Sequence, residues 1–387
     1  MKGYEMRMWR SAIVFLVLAL VPAPILAQII DTEADYAVIM DHETGDILWS
    51  KDGETPMIPA SMTKMMTAYF VFDLISQGEI TLDTEMVVSE DAWRRGGFPS
   101  GTSTMGLRPN ERPTVRELLQ GMIVMSGNDA CIVLAQGIAG SEAAFARQMT
   151  DRAQELGLTS VNFVNTTGLE GEGHVVSAAD LARLAKLIID DYPEYYGWYS
   201  QDAYTWGEYT QANRNPLLGT MDGADGLKTG HLDISGYGLT ASAVRDGKRR
   251  TIVINGLPSK QARAREAERL MRMAFSAFET RSISADNQRL AELDVWMGEA
   301  RKVGVKLGES RDVTAHKRAF VRGTSEIVHD RLIEAPINEG DQIATLIVTI
   351  EGQDPIELPL LATESVPRLG FMGRAIEGLS RMLEGGA

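Results

Sequence analysis

"IPASMTKMMTAYF", residues 58–70, sets a lysine inside a run of apolar and helix-favouring residues. From Met62 onward methionine, alanine and aromatic side chains dominate, and Pro59 stands where a helix can begin. Lys64 follows Ser61 by about one helical turn, so the two side chains share a face. A cation in such a run is costly to bury unless it has a partner or a task. A neutral lysine amine can take the proton of the serine hydroxyl, which is a poor nucleophile until a base does so. The ammonium must first be suppressed, by burial or by a nearby positive charge. A serine at a helix start also meets backbone N–H groups suited to an oxyanion. Alone, S-x-x-K is a weak signal, since a chain of this length contains about one match by chance.

The 387-residue chain is 44% hydrophobic and 24% charged, ordinary for a soluble globular protein and long enough for two domains. Its formal charge of −15 argues against a nucleic-acid partner, because phosphate binding needs a basic face. A single cysteine, Cys131, excludes an intramolecular disulfide. It reads either as a reactive thiol near a cleft or as a small buried hydrophobe. His42, His174, His231, His316 and His329 are scattered, and no HExxH or Cys/His cluster points to a metal. At the N-terminus, Lys2, Arg7 and Arg10 precede the apolar "SAIVFLVLALVPAPILA", the layout of a secretory signal peptide over 1–27. Ile25 is not the preferred small residue three positions before the cut at Ala27, and an uncleaved membrane anchor is the other reading. The segment carries +2, leaving −17 on the rest of an exported protein.

Further along, 36–50 reads as a β-hairpin turning at Gly45, and a helix is expected from about Ser61 to near Gly78. The Gly-, Pro- and Ser-rich stretch 91–113 reads as a long surface loop of the kind that borders a cleft. Thr114 and Glu117 form a capping box, and Ser141 and Ser177 read as N-caps of helices over 142–156 and 178–190. "DGLKTG", "YGLTASAV" and "RRTIVING" then read as successive strands, the last two joined by the turn "RDGK", and 258–280 as a long returning helix. After about residue 285 the pattern becomes strand-like, predicting a small all-β domain to 363. In the tail, Met372, Ile376, Leu379 and Leu383 recur at helical spacing, so the segment either lies on a membrane surface or packs on the β domain.

Two further motifs change the weight of S-x-x-K. "SGN" (Ser126, Gly127, Asn128) falls at a break between helices, where a hydroxyl and an amide can face a cleft. "KTG" (Lys228, Thr229, Gly230) sits in the run read as a strand; on an edge it offers a cation, a hydroxyl and a close backbone approach. Singly, SGN reads as a helix cap and KTG as a turn. In this order and on these elements, coincidence is a poor account of all three.

The set resembles the serine penicillin-binding proteins and β-lactamases, and more narrowly the low-molecular-mass D-alanyl-D-alanine carboxypeptidases. "MSGNDACIVLAQGIAGS", "NRN" (213–215), "DGLKTGHLDISGYGLTASA" and the trailing β region all read like that subgroup. The resemblance implies a mixed α/β transpeptidase-like domain over 28–284, with an antiparallel sheet and a helical region. A small β domain (285–363) and a C-terminal amphipathic membrane-anchor helix (364–387) would follow. Ser61 then matches the acylated serine and Lys64 its general base. Ser126 matches a proton relay, and Asn128 the residue that holds the substrate amide. Lys228 and Thr229 match the residues that bind the terminal carboxylate and keep the charge of Lys64 suppressed, and Arg214 an arginine facing that carboxylate. Gly230 matches the glycine of KTG, and the backbone N–H groups of Ser61 and His231 the oxyanion hole. The implied substrate is the peptidoglycan stem pentapeptide, with β-lactams as covalent inhibitors, no metal or organic cofactor, and a periplasmic location on the outer face of the inner membrane. A β-lactamase is disfavoured by the lack of a Glu-x-x-Leu-Asn stretch. A D,D-endopeptidase shares all three motifs and stays open. A non-catalytic wall-binding scaffold is disfavoured by the intact Ser61, Lys64 and Lys228.

Overall fold

The computed structural model describes residues 30–330, 333–351 and 353–384; the expected signal peptide, 1–27, lies outside them. The chain divides after Asp31, and the unit Thr32–Ala387 holds the elements that follow. A five-stranded antiparallel sheet runs in the order Ile47–Lys51, Tyr36–Asp41, Lys248–Leu257, Gly236–Arg245, Ala224–Leu232. Helices Lys260–Ser276 and Ala178–Asp191 both pack on its central strands. The two longest strands are therefore buried through their middles, which is why they read as near-continuous apolar runs. Asp246 and Gly247 both take positive φ, as a two-residue hairpin turn between right-twisted strands requires. The KTG strand, Ala224–Leu232, is an edge strand, and it packs against the turn that carries Ser61.

That turn, Ala60–Thr63, is a 3-10 turn leading into helix Lys64–Ser76, so Ser61 precedes the α-helix proper. Ala60 and, across the cleft, Ser126 are non-glycine residues with left-handed backbone, φ 48° and 62°. Such geometry is costly and persists only where the surroundings enforce it. The capping box closes as expected, Thr114 with Glu117 at the start of helix Val115–Val124. Ser141 and Ser177 cap their helices, accepting from the N–H groups of Ala144 and Asp180. The stretch 91–113 needs correction: helix Glu90–Gly96 opens it, capped by Ser89 and supported by Arg94–Glu90 and Arg95–Asp91 pairs at helical spacing. Glycine, proline and serine crowd only the part that follows.

The returning helix ends at Ser276 rather than 280. Strand Phe278–Ile283 follows at once and pairs with Arg311–His316, so β pairing of the C-terminal region begins at Phe278 rather than at 285. A six-stranded sheet, with its own core of Val303, Val305, Leu358 and Leu360, completes that region. Short helix Lys317–Arg322 interrupts the strands. Helix Phe371–Glu384 closes the described chain, with Phe371, Met372 and Ile376 at 81%, 78% and 71% exposure.

Backbone packing around the Ser61 turn is tight. A Cβ on Gly168 (φ 78°) would lie 1.8 Å from the Ala60 carbonyl oxygen. Gly168→Ala is therefore expected to destabilise the fold by about 2–4 kcal/mol, through the left-handed backbone and the overlap together. Thermal unfolding of the variant against the parent checks this; an unchanged midpoint would refute the close approach.

Candidate active site

Lys64 is 1% exposed, and its Nζ lies 3.0 Å from Ser61 Oγ and 2.7 Å from Asn128 Oδ1, with the Thr167 carbonyl oxygen also in hydrogen-bond contact. Both of the last two oxygens only accept. In the neutral amine they therefore take its two N–H groups, and the lone pair is left for the Ser61 hydroxyl. Burial, ahead of the positive charge of Arg214, pushes the amine down to about 8. Cys131, also fully buried, is pushed up to about 12 by burial, with its Sγ 3.2 Å from the Gly127 carbonyl. It is an uncharged core thiol.

Across the cleft Lys228 is 3% exposed and donates to Ser126 Oγ at 2.9 Å. Burial, then Lys64 and Arg214, holds it well below the ordinary lysine range. Asn128 donates its Nδ2 to Thr102 Oγ1 at 2.9 Å, so any substrate group on this amide must share or displace that hydroxyl. Gly230 has a packing reason of its own: a Cβ there would sit 2.6 Å from the Pro59 carbonyl oxygen, where strand and Ser61 turn meet. The His231 imidazole stacks on Tyr237, with ring centroids 3.8 Å apart.

Arg214 is fixed by neutral oxygens: Ser103 Oγ at 2.6 Å, the Met125 carbonyl at 3.0 Å and Gln211 Oε1 at 2.7 Å. Arg263 joins it from helix Lys260–Ser276, reaching the carbonyls of Gly238 and Arg214, each at 3.4 Å, and lying over the Tyr237 ring. Burial pushes Arg263 down to about 10. The sequence reading missed this residue among the other arginines of its helix. Its signal was phase, because Arg263 shares the buried side with Ala267 and Leu270.

Asp129 is a second omission. Its buried carboxylate accepts from Thr104 Oγ1 and from the N–H groups of Met105, Gly106 and Leu107. It thereby joins the SGN turn to the facing loop.

Two adjoining cavities of about 400 and 570 Å³ share Ser61, Ser103, Arg214 and His231. The first also exposes Ser126, Thr229 and Arg263. A larger groove, about 680 Å³, opens beyond His231 and Tyr237 but is not lined by Ser61, Ser126 or Arg214. The structure thus brings every expected site residue to one cleft. It sets the Ser61 hydroxyl beside a buried amine, with cationic side chains at one end.

Residues 23–258 match the D-alanyl-D-alanine carboxypeptidase family, and 278–368 match the C-terminal domain of penicillin-binding protein 5. The chain is 37% identical over 341 residues to D-alanyl-D-alanine carboxypeptidase DacD of Escherichia coli, covering 85% of this chain and 86% of that one. It is 33% identical to DacC of the same organism over 341 residues, covering 87% and 85%. Among solved structures, the D-alanyl-D-alanine carboxypeptidase DacD of Francisella tularensis superposes with a TM-score of 0.77 at 29% identity, covering 91% and 98%. With matches running through both the catalytic and the β regions, the chain belongs to the D-alanyl-D-alanine carboxypeptidase family of low-molecular-mass penicillin-binding proteins.

Proposed function

We propose that this protein is a serine D-alanyl-D-alanine carboxypeptidase that removes the terminal D-Ala of peptidoglycan stem pentapeptides and is inhibited by β-lactams. The observation that carries the reading is the Lys64 amine, buried 3.0 Å from Ser61 Oγ with its other partners acceptors only. Ser61 Oγ attacks the carbonyl of the D-Ala–D-Ala bond while Lys64 takes its proton. The N–H groups of Ser61 and His231 receive the oxyanion. Ser126, held by Lys228, relays that proton from Lys64 to the departing D-Ala amine, which returns Lys64 to its neutral form. Thr229, Arg214 and Arg263 face the terminal carboxylate, Asn128 holds the acyl-side amide, and Gly230 lets the strand come close. Water deprotonated by Lys64 then releases the shortened stem from the Ser61 ester. In a β-lactam the opened ring stays attached and obstructs that water.

The proposed organisation is a signal peptide over 1–27, the peptidase domain over 28–284 and a β domain over 285–363, its pairing reaching back to Phe278. The tail, 364–387, is the proposed anchor on the outer face of the inner membrane. Exposed Phe371, Met372 and Ile376 support it, and no described helix is long and apolar enough to cross a bilayer. A cross-linked dimer offered beside a pentapeptide separates carboxypeptidase from D,D-endopeptidase: release of D-Ala without cleavage of the dimer is expected.

Three outcomes test the reading. Ser61→Ala abolishes covalent labelling by fluorescent penicillin, and Lys64→Arg does so across the neutral range, because guanidinium does not deprotonate. Labelling of either variant at the parent rate would remove that residue from the mechanism. The neutral amine is the active form, so acylation by penicillin rises with pH and levels above about pH 8, falling about tenfold per unit well below it. A flat profile between about pH 5 and 8 would contradict a base with that pKa. Truncation after Pro367 moves the processed protein from sedimenting lipid vesicles to the supernatant with peptide hydrolysis unchanged; an intact protein that never sediments would refute the anchor.

A further inference from the structure

One buried titratable group stands next to the catalytic turn without a part in the chemistry above. His174 is 2% exposed. Its Nδ1 lies 3.1 Å from the backbone N–H of Val164. A backbone N–H only donates, so Nδ1 accepts, and the ring proton belongs on Nε2. Nε2–H then donates to Thr63 Oγ1 at 2.8 Å. Thr63 is the residue immediately before Lys64 and is fully buried.

The segment 163–174 that ends in this histidine also presents the Thr167 carbonyl to Lys64. Its base is closed by pairing of Val161 with Val176 and Asn162 with Val175. Its inner turn is tied by Asn165 Oδ1, which accepts from the N–H groups of Thr167 and Gly168. Its middle is tied to the Lys64 helix by Thr67 Oγ1, donating to the Thr166 carbonyl at 2.8 Å. The His174–Thr63 bond adds a tie at the residue just before Lys64. Burial, and after it the positive charge of Lys64, pushes the imidazole down to about 4, so the ring is neutral near pH 7. A second ring proton would face the Val164 donor.

We propose that His174 is a positioning residue which, through Thr63, latches segment 163–174 onto the Lys64 helix so that the Thr167 carbonyl holds the lysine lone pair on Ser61. The inference rests on the Ser61–Lys64 acylation reading, and it assigns His174 no contact with substrate. A histidine that merely fills the core would affect folding and not the split between binding and chemistry.

Thr63→Val, His174→Phe and His174→Gln, made singly in the full processed chain and with Thr63→Val/His174→Phe as a double variant, test it. Readouts are kcat and KM on a D-Ala-D-Ala peptide, the rate of penicillin acylation and the thermal midpoint. Misaiming a base by about 1 Å costs up to about 100-fold. Thr63→Val and His174→Phe are thus each expected to lower kcat and acylation by about 10- to 100-fold, with KM within about threefold. The double variant is expected to be no worse than His174→Phe, because the bond to Thr63 is already lost in that single variant. His174→Gln, whose amide can donate to Thr63, recovers most of the loss. Parent-like rates in Thr63→Val and His174→Phe, losses that add in the double variant, or a glutamine no better than phenylalanine would each overturn the latch. Should His174→Phe not fold, Thr63→Val, which removes only a hydroxyl, decides alone. A parent chain that fails to label with penicillin would instead overturn the acylation reading, which makes the two failures distinguishable.

Discussion

Burying the Lys64 amine is the constraint around which the rest of the site is arranged. An ammonium withdrawn from water is strongly disfavoured unless charges or acceptors compensate it. Here the direct partners are a serine hydroxyl, an amide oxygen and a backbone carbonyl, all neutral. Neutral acceptors orient an amine without returning it to full protonation. A carboxylate in the same place would pull the lysine up and fix it as a cation. Acidic groups do stand behind this shell, but they are committed elsewhere. Asp129 is saturated by backbone donors, while Glu142 accepts from the N–H of Thr166 and pairs with Arg95. Negative charge is therefore used to hold loops around the lysine rather than to touch it.

Holding those loops requires backbone to meet backbone. Besides Gly168 and Gly230, Gly96 has no room for a side chain: a Cβ there would fall 2.4 Å from the N of Asp129. Glycine at these contacts lets the KTG strand, the 163–174 segment and helix Glu90–Gly96 approach the Ser61 and SGN turns closely. The left-handed Ala60 and Ser126 occur at the two turns so enclosed. Interior packing resists small displacements, so a turn enclosed on several sides keeps a conformation it would not hold alone.

Short-range signals were legible in the sequence, and long-range ones were not. Caps at Thr114, Ser141 and Ser177 and the 246–247 hairpin turn depend on residues a few positions apart, and each formed where expected, whereas the helix expected from about Ser61 starts at Lys64. The Thr167 carbonyl could not be foreseen, because a backbone oxygen has no residue signature. His174 looked like one of five scattered histidines. Its importance comes from a partner 111 positions away. Arg263 was hidden among cations of its own helix, although a guanidinium in the phase of Ala267 and Leu270 was a usable clue. Helix Glu90–Gly96 was missed for the opposite reason: the glycine-rich stretch behind it outweighed a serine cap and two i,i+4 ion pairs in a helix only seven residues long.

Arg214, Arg263 and Lys228 share one end of the cleft, and burial depresses all three. Their direct partners are neutral oxygens, so this end of the site is left electrostatically incomplete by the protein itself. An anionic group arriving there gains from several partly desolvated cations at once, which is worth more than the same pairs in water. On the proposed reading the arriving group is the substrate's terminal carboxylate, and its binding would also offset the positive field that Arg214 exerts on Lys64. That would raise the lysine's proton affinity when it must accept a proton from Ser61. The positive field of Arg214 lowers the proton affinity of Lys64, and an anion bound at this pole would offset it. Both effects follow from leaving the cationic pole without a carboxylate of its own.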